Sequence, residues 1–433
     1  MGTFARGLRC IHCGAHYGLD AMWEGCPVCR REDFVYPLEV EYDESAQASA
    51  ASRTLAEGAG GVWRFDPLLP VAAERKITLE EGRTPLVDCP SLADQAGVAR
   101  LLVKDESRNP TWSHKDRAMA VGVSDALARG ARAVTLSSSG NAGISAAAYA
   151  ARAGIGCVIF VLDSAPLVAR TVIQAYGGIV VATDMFGRWK LMEEGVRRYG
   201  WYPLGGWTST AYTGNPYSLE GYKSIAYEVC QQLNWQAPDV VIVPTAGAEV
   251  LYAIYRGFAD ARRFGWIDSM PRLVAAEPAV GAPTFHALER ALDYIPRVTI
   301  GPTVAVSIGA SIGSYRGLLG VRESDGMGAA VSEDEILGAY KLLARREGLF
   351  VEPSSAASVA GALQLGRAGQ LVRSSTVVCV STASGAKDPY TAENTLGTDV
   401  PVIGPDFEAF RRAARQAYGE RAEALLAPAA TRG

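Results

Sequence analysis

From about residue 85 onward, short continuous apolar runs alternate with longer stretches of helical spacing. The runs 101–103, 133–136, 157–162, 178–182, 240–243, 273–276 and 377–380 are mostly β-branched and too short for helices. They read as buried strands. Between them, 116–129, 143–153, 219–233, 249–261 and 332–347 have the spacing and length of helices. Ser332 followed by Glu335 is a capping-box start for the last of these. A strand followed by a helical crossover leads most simply to a parallel sheet covered by helices. The fold class expected is therefore α/β, with parallel sheets and a site at the carboxyl ends of their strands.

The chain has 433 residues, enough for roughly two or three domains. Hydrophobic residues make up 48% and charged residues 20%, a balance that supplies ample buried core. A net charge of −4 does not favour nucleic acid or an anionic membrane surface as a partner. The longest apolar runs, such as 154–162, fall far short of the ~20 residues that a membrane span needs. The N-terminus shows no apolar signal core, so a cytoplasmic location is expected.

Four of the eight cysteines are clustered. Cys10-Ile11-His12-Cys13 and Cys26-Pro27-Val28-Cys29 are two CxxC pairs joined by a stretch long enough to fold back as a hairpin. Four converging thiolates close a tetrahedral site, so the pattern predicts a zinc ribbon with a structural Zn2+. Two disulfides or redox motifs are the alternative. His12 and His16 lie beside these ligands and read as bystanders. Cys157, Cys230 and Cys379 sit in apolar runs and read as small core residues.

Four segments carry chemistry-bearing residues. The first is Asn109-Pro110-Thr111-Trp112-Ser113-His114-Lys115-Asp116-Arg117, which taken alone is equally a solvated helix start. The second, Ser137-Ser138-Ser139-Gly140-Asn141-Ala142-Gly143, joins a strand to an Ala-rich helix. Its hydroxyls and helix N-terminal amides could receive a carboxylate, or the serines could simply cap the helix. The third is Pro244-Thr245-Ala246-Gly247-Ala248-Glu249, where small residues let backbone amides approach a phosphate. The fourth runs from Ser381-Thr382-Ala383 to Pro389, and its hydroxyls could meet a heteroaromatic nitrogen or cap a turn.

Together, and in this order, the four segments resemble the threonine synthase-like family of fold-type II (tryptophan synthase β-like) pyridoxal-phosphate enzymes. The likeness extends to Asn215-Pro216-Tyr217-Ser218-Leu219-Glu220-Gly221 and to Val351-Glu352-Pro353-Ser354-Ser355-Ala356-Ala357-Ser358. Some members of the family also carry an N-terminal zinc ribbon. The resemblance implies two parallel-sheet α/β domains behind a small ribbon. The expected division is a ribbon at 1–35, a linker and first part of the large cofactor domain at 36–120, and a small substrate-carboxylate domain at 121–215. The large domain then resumes over 216–400, and 401–433 form a helical tail. Within 36–120, residues 42–62 read as a linker or loose helix.

By the same resemblance, Lys115 would join the cofactor and move the α-proton, and His114 would pack near the cofactor phosphate. Asn141 would meet the cofactor ring. Thr245, Ala246, Gly247 and Ala248 would cradle the phosphate, and Thr382 would face the pyridine nitrogen. Ser138, Ser139, Gly140, Asn141 and Ala142 would hold the substrate carboxylate, and Cys10, Cys13, Cys26 and Cys29 would hold zinc. The implied activity is that of a lyase or synthase acting on an amino acid, as a homodimer, most specifically a threonine synthase. A β-replacement or β-elimination on serine, threonine, O-phosphoserine or a related amino acid is the alternative, and a non-catalytic regulatory homologue is a third.

Three residues depart from the family pattern. Trp112 stands where Gly is usual, and it either crowds the site or turns into the core. His114 stands where threonine synthases commonly have Phe, as in tryptophan synthase β subunits. Glu249 brings a carboxylate to a phosphate loop, which is unfavourable unless it turns outward or finds a cation. Arg117, Arg170, Arg188 and Arg316 are candidates for a substrate phosphate, although each also reads as an ordinary surface or ion-pair residue.

Overall fold

The computed structural model describes residues 3–426, apart from 21, 33, 59, 73, 75, 139, 185, 208–212 and 397–399. The backbone divides into two compact units, Met1–Lys387 and Asp388–Gly433. In the first unit, three sheets account for every strand among the described residues.

The largest sheet has six strands in the order Met327–Val331, Arg272–Pro278, Val240–Pro244, Thr376–Ser381, Arg100–Asp105 and Leu86–Asp88. All its pairings are parallel except the last, where Leu86–Asp88 runs antiparallel. Strands covered on both faces must be apolar throughout, and every residue of Val240–Pro244 is buried. The second sheet has four parallel strands, Ile179–Thr183, Gly156–Leu162, Ala133–Ser137 and Tyr202–Pro203. The alternation in the sequence thus builds two parallel-sheet α/β layers. The capping box at Ser332 and Glu335 opens helix Glu333–Arg346, as the spacing predicts.

The third sheet belongs to the ribbon. Strand Ala5–Cys10 pairs antiparallel with His16–Tyr17 and with Leu38–Tyr42. Residues 42–62, read from sequence as a linker or loose helix, are more ordered than that. Helix Glu44–Ala50 is capped by Asp43, and the turns Arg53–Glu57 and Gly61–Leu68 follow. The last of these buries Val62, Trp63 and Phe65, and burial of such large side chains holds a stretch whose composition alone reads as loose.

Several contacts fasten the ribbon to the body of its unit. Thr213 Oγ1 donates to Trp23 O at 2.8 Å, and Tyr217 Oη donates to Asp20 O at 3.0 Å. Arg316 is 1% exposed and donates to Thr213 O and to Leu38 O. His12 stacks on Tyr36 with centroids 3.8 Å apart, and His16 faces Glu41, so neither histidine joins the cysteine cluster.

The unit Asp388–Gly433 holds helices Pro389–Leu396, Phe407–Tyr418 and Glu420–Leu426, with a non-helical stretch over 400–406. Asp406 caps the second of these by accepting from Ala409 N at 2.7 Å. Among the described residues, no helix is long and apolar enough to cross a membrane.

Candidate functional site

The adjacency of strands in the large sheet decides which loops meet. Arg100–Asp105 lies beside Thr376–Ser381, with Lys104 opposite Val380 and Asp105 opposite Ser381. Thr376–Ser381 in turn pairs with Val240–Pro244. All three run parallel, so the lysine segment, the Thr382 segment and the 245–248 loop emerge from neighbouring carboxyl ends. Ligands commonly bind at such places in α/β sheets.

The lysine segment is tied down on both sides. Asp116, fully buried, accepts from Thr111 N at 2.6 Å and from the hydroxyls of Thr111 and Ser145. Ser113 forms a bridge with Ala383, and His114 N donates to Thr382 O at 2.9 Å. His114 Nδ1 lies 3.1 Å from the same carbonyl, which selects the tautomer with the proton on Nδ1. Burial holds the His114 imidazole well below its ordinary pKa, and the nearby Lys115 charge acts in the same direction. The ring is therefore neutral and packs 5.3 Å from the Tyr222 ring.

Lys115 is the first residue of helix Lys115–Ala128, is half-buried, and places Nζ 5.7 Å from the centroid of Tyr222. Burial lowers its pKa, and the Glu249 carboxylate opposes that shift. A partly desolvated amine with a lowered pKa is poised for nucleophilic and proton-transfer chemistry.

A buried charge network anchors this helix from behind. The Arg117 guanidinium donates to Glu106 Oε2 at 2.7 Å, Glu106 Oε1 at 2.8 Å, Glu228 Oε1 at 2.8 Å and Glu228 Oε2 at 2.7 Å. Lys104 Nζ donates to Glu228 Oε2 at 2.7 Å, and Arg64 also pairs with Glu228. Gly221 permits the close approach of the facing turn, because a Cβ there would lie 2.0 Å from Arg117 O. Arg117 is thus a structural anchor, and it leaves the set of candidate phosphate ligands. Arg316 leaves it too, because it is buried and donates to two backbone carbonyls.

The 245–248 loop is only partly as expected. Thr245 is already satisfied, with its N–H on Ala276 O and its hydroxyl on Val243 O, each at 2.8 Å. The N–H groups of Ala246, Gly247 and Ala248 meet no acceptor among the described residues. They precede the 15-residue helix Glu249–Arg263, so the free donors and the positive end of a helix dipole coincide. Ala248 makes the turn with φ +62°, a left-handed conformation unusual for a residue with a Cβ. Glu249 makes no ion pair among the described residues, although its charge opposes the lowering that burial causes at Lys115 and Arg316.

In the second sheet, the loop after Ala133–Ser137 opens helix Asn141–Ala153. Ser138 Oγ accepts from Gly140 N at 3.4 Å and from Gly143 N at 3.2 Å, which ties the loop to the first turn of the helix. Gly140 and Ala142 flank Asn141 at the start of that helix, and Ser139 lies outside the described residues. Asn141 Nδ2 lies 3.0 Å from both carboxylate oxygens of Glu352. Across the cleft, Thr382 Oγ1 lies 2.9 Å from Ser355 Oγ. Lys387 Nζ donates to Thr111 O at 2.8 Å; burial lowers its pKa to about 8 against the opposing pull of Glu352 and Asp116. Sequence reasoning passed over Tyr222, Ser355 and Lys387 as individual residues and gave Glu352 no role. The Val-Glu-Pro-Ser-Ser stretch was the available signal for two of them.

Trp112 does not enter the core. Its side chain is 47% exposed and its φ is +61°, a region where Gly is favoured on steric grounds. A Gly at this position would adopt the same backbone without that strain. Replacing Trp112 with Gly should hold or raise the thermal midpoint of the protein. Trp112→Val should melt below the Gly variant, by an amount corresponding to about 1–2 kcal/mol of left-handed strain. A fall for the Gly variant matching that of the Val variant would refute the backbone explanation.

Residues 77–383 match the family model described as pyridoxal-phosphate dependent enzyme. The threonine synthase of Methanocaldococcus jannaschii is 38% identical over 398 residues, covering 89% of this chain and 93% of that protein. That of Methanosarcina acetivorans is 35% identical over 412 residues, covering 94% and 98%. Among solved structures, maize serine racemase superposes with a TM-score of 0.61 at 20% identity, over 70% of this chain and 88% of that one. An O-ureido-L-serine synthase gives 0.59 at 24% identity, over 74% and 95%. At these identities the superpositions speak for the fold alone.

Proposed function

The chain belongs to the pyridoxal-phosphate dependent enzymes, and on that premise we propose that it is a threonine synthase, converting O-phospho-L-homoserine and water to L-threonine and phosphate. The observation that carries this reading is the likeness to threonine synthases over 89–94% of the chain.

The residues present fit the cofactor. Three unengaged amides at a helix N-terminus suit its phosphate, and the side chains there are small enough for close approach. A half-buried lysine with a lowered pKa suits its carbonyl carbon, and the Thr382–Ser355 hydroxyl pair suits a neutral pyridine nitrogen. Pyridoxal phosphate, when bound, supplies the electron sink for a carbanion at the substrate α-carbon.

The chain's own residues do the rest. Lys115 Nζ holds the cofactor and then carries the α-proton. The amides of Gly140, Asn141 and Ala142, with Ser138 and Ser139, receive the substrate carboxylate. Neutral His114 supports the Thr382 segment and adds no positive charge beside Lys115. The Thr382 hydroxyl, paired with Ser355, would hold the pyridine nitrogen by an uncharged hydrogen bond.

The test is phosphate release and threonine formation from O-phospho-L-homoserine, followed together with the visible band of the purified protein. A band that responds while both products appear supports the assignment. A band indifferent to phosphohomoserine but responsive to a β-substituted amino acid would replace the reaction and keep the family.

The four cysteines suit a structural zinc ion. Their Sγ atoms all lie within 4.8 Å of one another, with Cys10–Cys29 at 3.5 Å and Cys13–Cys26 at 3.7 Å. Tetrahedral zinc with Zn–S of about 2.3 Å places sulfurs roughly 3.8 Å apart, whereas a disulfide needs about 2 Å. Metal analysis should find one zinc per chain. Cys26→Ser should lose it and lower the melting temperature, since the ribbon is fastened through Asp20, Trp23 and Leu38. Metal-free protein with four oxidised thiols would reverse this reading.

A further inference from the structure

Glu352 occupies the N-cap of helix Pro353–Arg367, yet its carboxylate makes no capping bond to that helix. A short polar side chain at an N-cap, such as Asp or Ser, normally accepts from the first-turn amides. The longer Glu352 side chain instead reaches the Asn141 loop of the second sheet. It is 8% exposed, and each carboxylate oxygen lies 3.0 Å from Asn141 Nδ2. Ser307 Oγ donates to Oε2 at 3.3 Å, and Glu352 N donates to Ala383 O at 3.0 Å. Val351 also bridges Ser384. Its backbone is thus fixed to the Thr382 segment of the large sheet, while its side chain grips the first residue of a helix in the small one. The charged group facing it from another segment is Lys387.

We propose that Glu352 is a positioning residue that presents the Asn141 amide to the pyridoxal cofactor. This rests on the cofactor reading above. Asn141 Nδ2 carries two hydrogens. A carboxylate that accepts one of them fixes the plane of the amide and leaves the other for the oxygen on the cofactor ring. Without that acceptor the amide is free to rotate, and its carbonyl can face the ring oxygen and repel it. Through Asn141 the carboxylate also brings a negative charge to within one hydrogen bond of the amide that would meet the cofactor ring, to which Lys115 would be linked. A nearby negative charge favours the protonated form of that linkage, so its pKa is raised.

The measurements are made on full-length apoprotein reloaded with pyridoxal phosphate. They are the cofactor dissociation constant and the pH at which the visible band of the loaded protein titrates. Glu352→Ala should weaken cofactor binding roughly 10-fold or more, the range of one lost charge-assisted hydrogen bond. Glu352→Gln should move the band's titration down by about half a pH unit or more, and Glu352→Asp should restore most of the wild-type value. The Gln variant keeps the volume and decides the matter if the Ala variant folds poorly. A merely structural role would lower the melting temperature and leave the band's titration in place. Wild-type affinity and titration in Glu352→Gln would overturn the proposal. If wild-type protein forms no visible band with added cofactor, the enzyme reading itself fails, a result distinct from the variant comparison.

Discussion

Lys115→Ala should yield a folded protein with no visible absorption band and no measurable release of phosphate from phosphohomoserine. The expected loss is at least roughly 10³-fold, because both covalent attachment and proton transfer depend on the same nitrogen. Folding should survive, since Nζ makes no hydrogen bond or ion pair among the described residues, its ring contact with Tyr222 is distant, and the helix is held by Asp116 and Arg117. Removing a half-buried cation whose pKa is already lowered by burial should not destabilise the fold. Absorbance, circular dichroism and a phosphate assay on one preparation separate the outcomes. Activity retained in a well-folded Lys115→Ala protein would end the assignment of this lysine.

Glu228→Ala is expected to have the largest effect on stability, a loss of roughly 3–5 kcal/mol. Its carboxylate is the shared partner of three buried cations, Arg64, Lys104 and Arg117. Burial works against its ionisation, but Arg117 and Lys104 prevail and hold the carboxyl well below the usual range. Removing it leaves Glu106 as the only carboxylate paired with Arg117, and leaves Lys104 on Thr84 O and Gln232 Oε1. Uncompensated buried charge is the most expensive kind of vacancy. Because Arg117 stands two residues from Lys115, cofactor binding should weaken with stability. Denaturant unfolding against Glu106→Ala and Glu228→Gln provides the comparison. A Glu228→Ala protein as stable as wild type would show that the network contributes nothing net.

Much of the site was legible because its parts are local. A strand end, a few small residues and a helix start make each loop, and hydrophobic periodicity marks both flanking elements. The segments of Lys115, Thr382, Asn141 and Ala246–Ala248 were marked in this way, with their roles implied only by the family resemblance, and the parallel sheet brings the first, second and fourth of them to adjacent strand ends. Thr245 shows where that reading stops. Its place in the loop suggested a phosphate ligand, but its N–H is spent on Ala276, a partner in a neighbouring strand. Arg117 and Arg316 show the same limit, since only their packed surroundings show them to be anchors. Trp112 was visible as a departure, whereas its left-handed backbone was not.

What the sequence determined by itself is the α/β alternation, the four-cysteine cluster, the ordered loop motifs and the family they resemble. These follow from residue type and spacing within a few turns of chain. Only the tertiary structure decided that Glu352 holds Asn141 across 211 positions of sequence and that Arg117 is a buried anchor. Apolar residues declare themselves by period, because burial needs only a face. A polar group's role depends on which partner reaches it, and that is settled by which strands become neighbours.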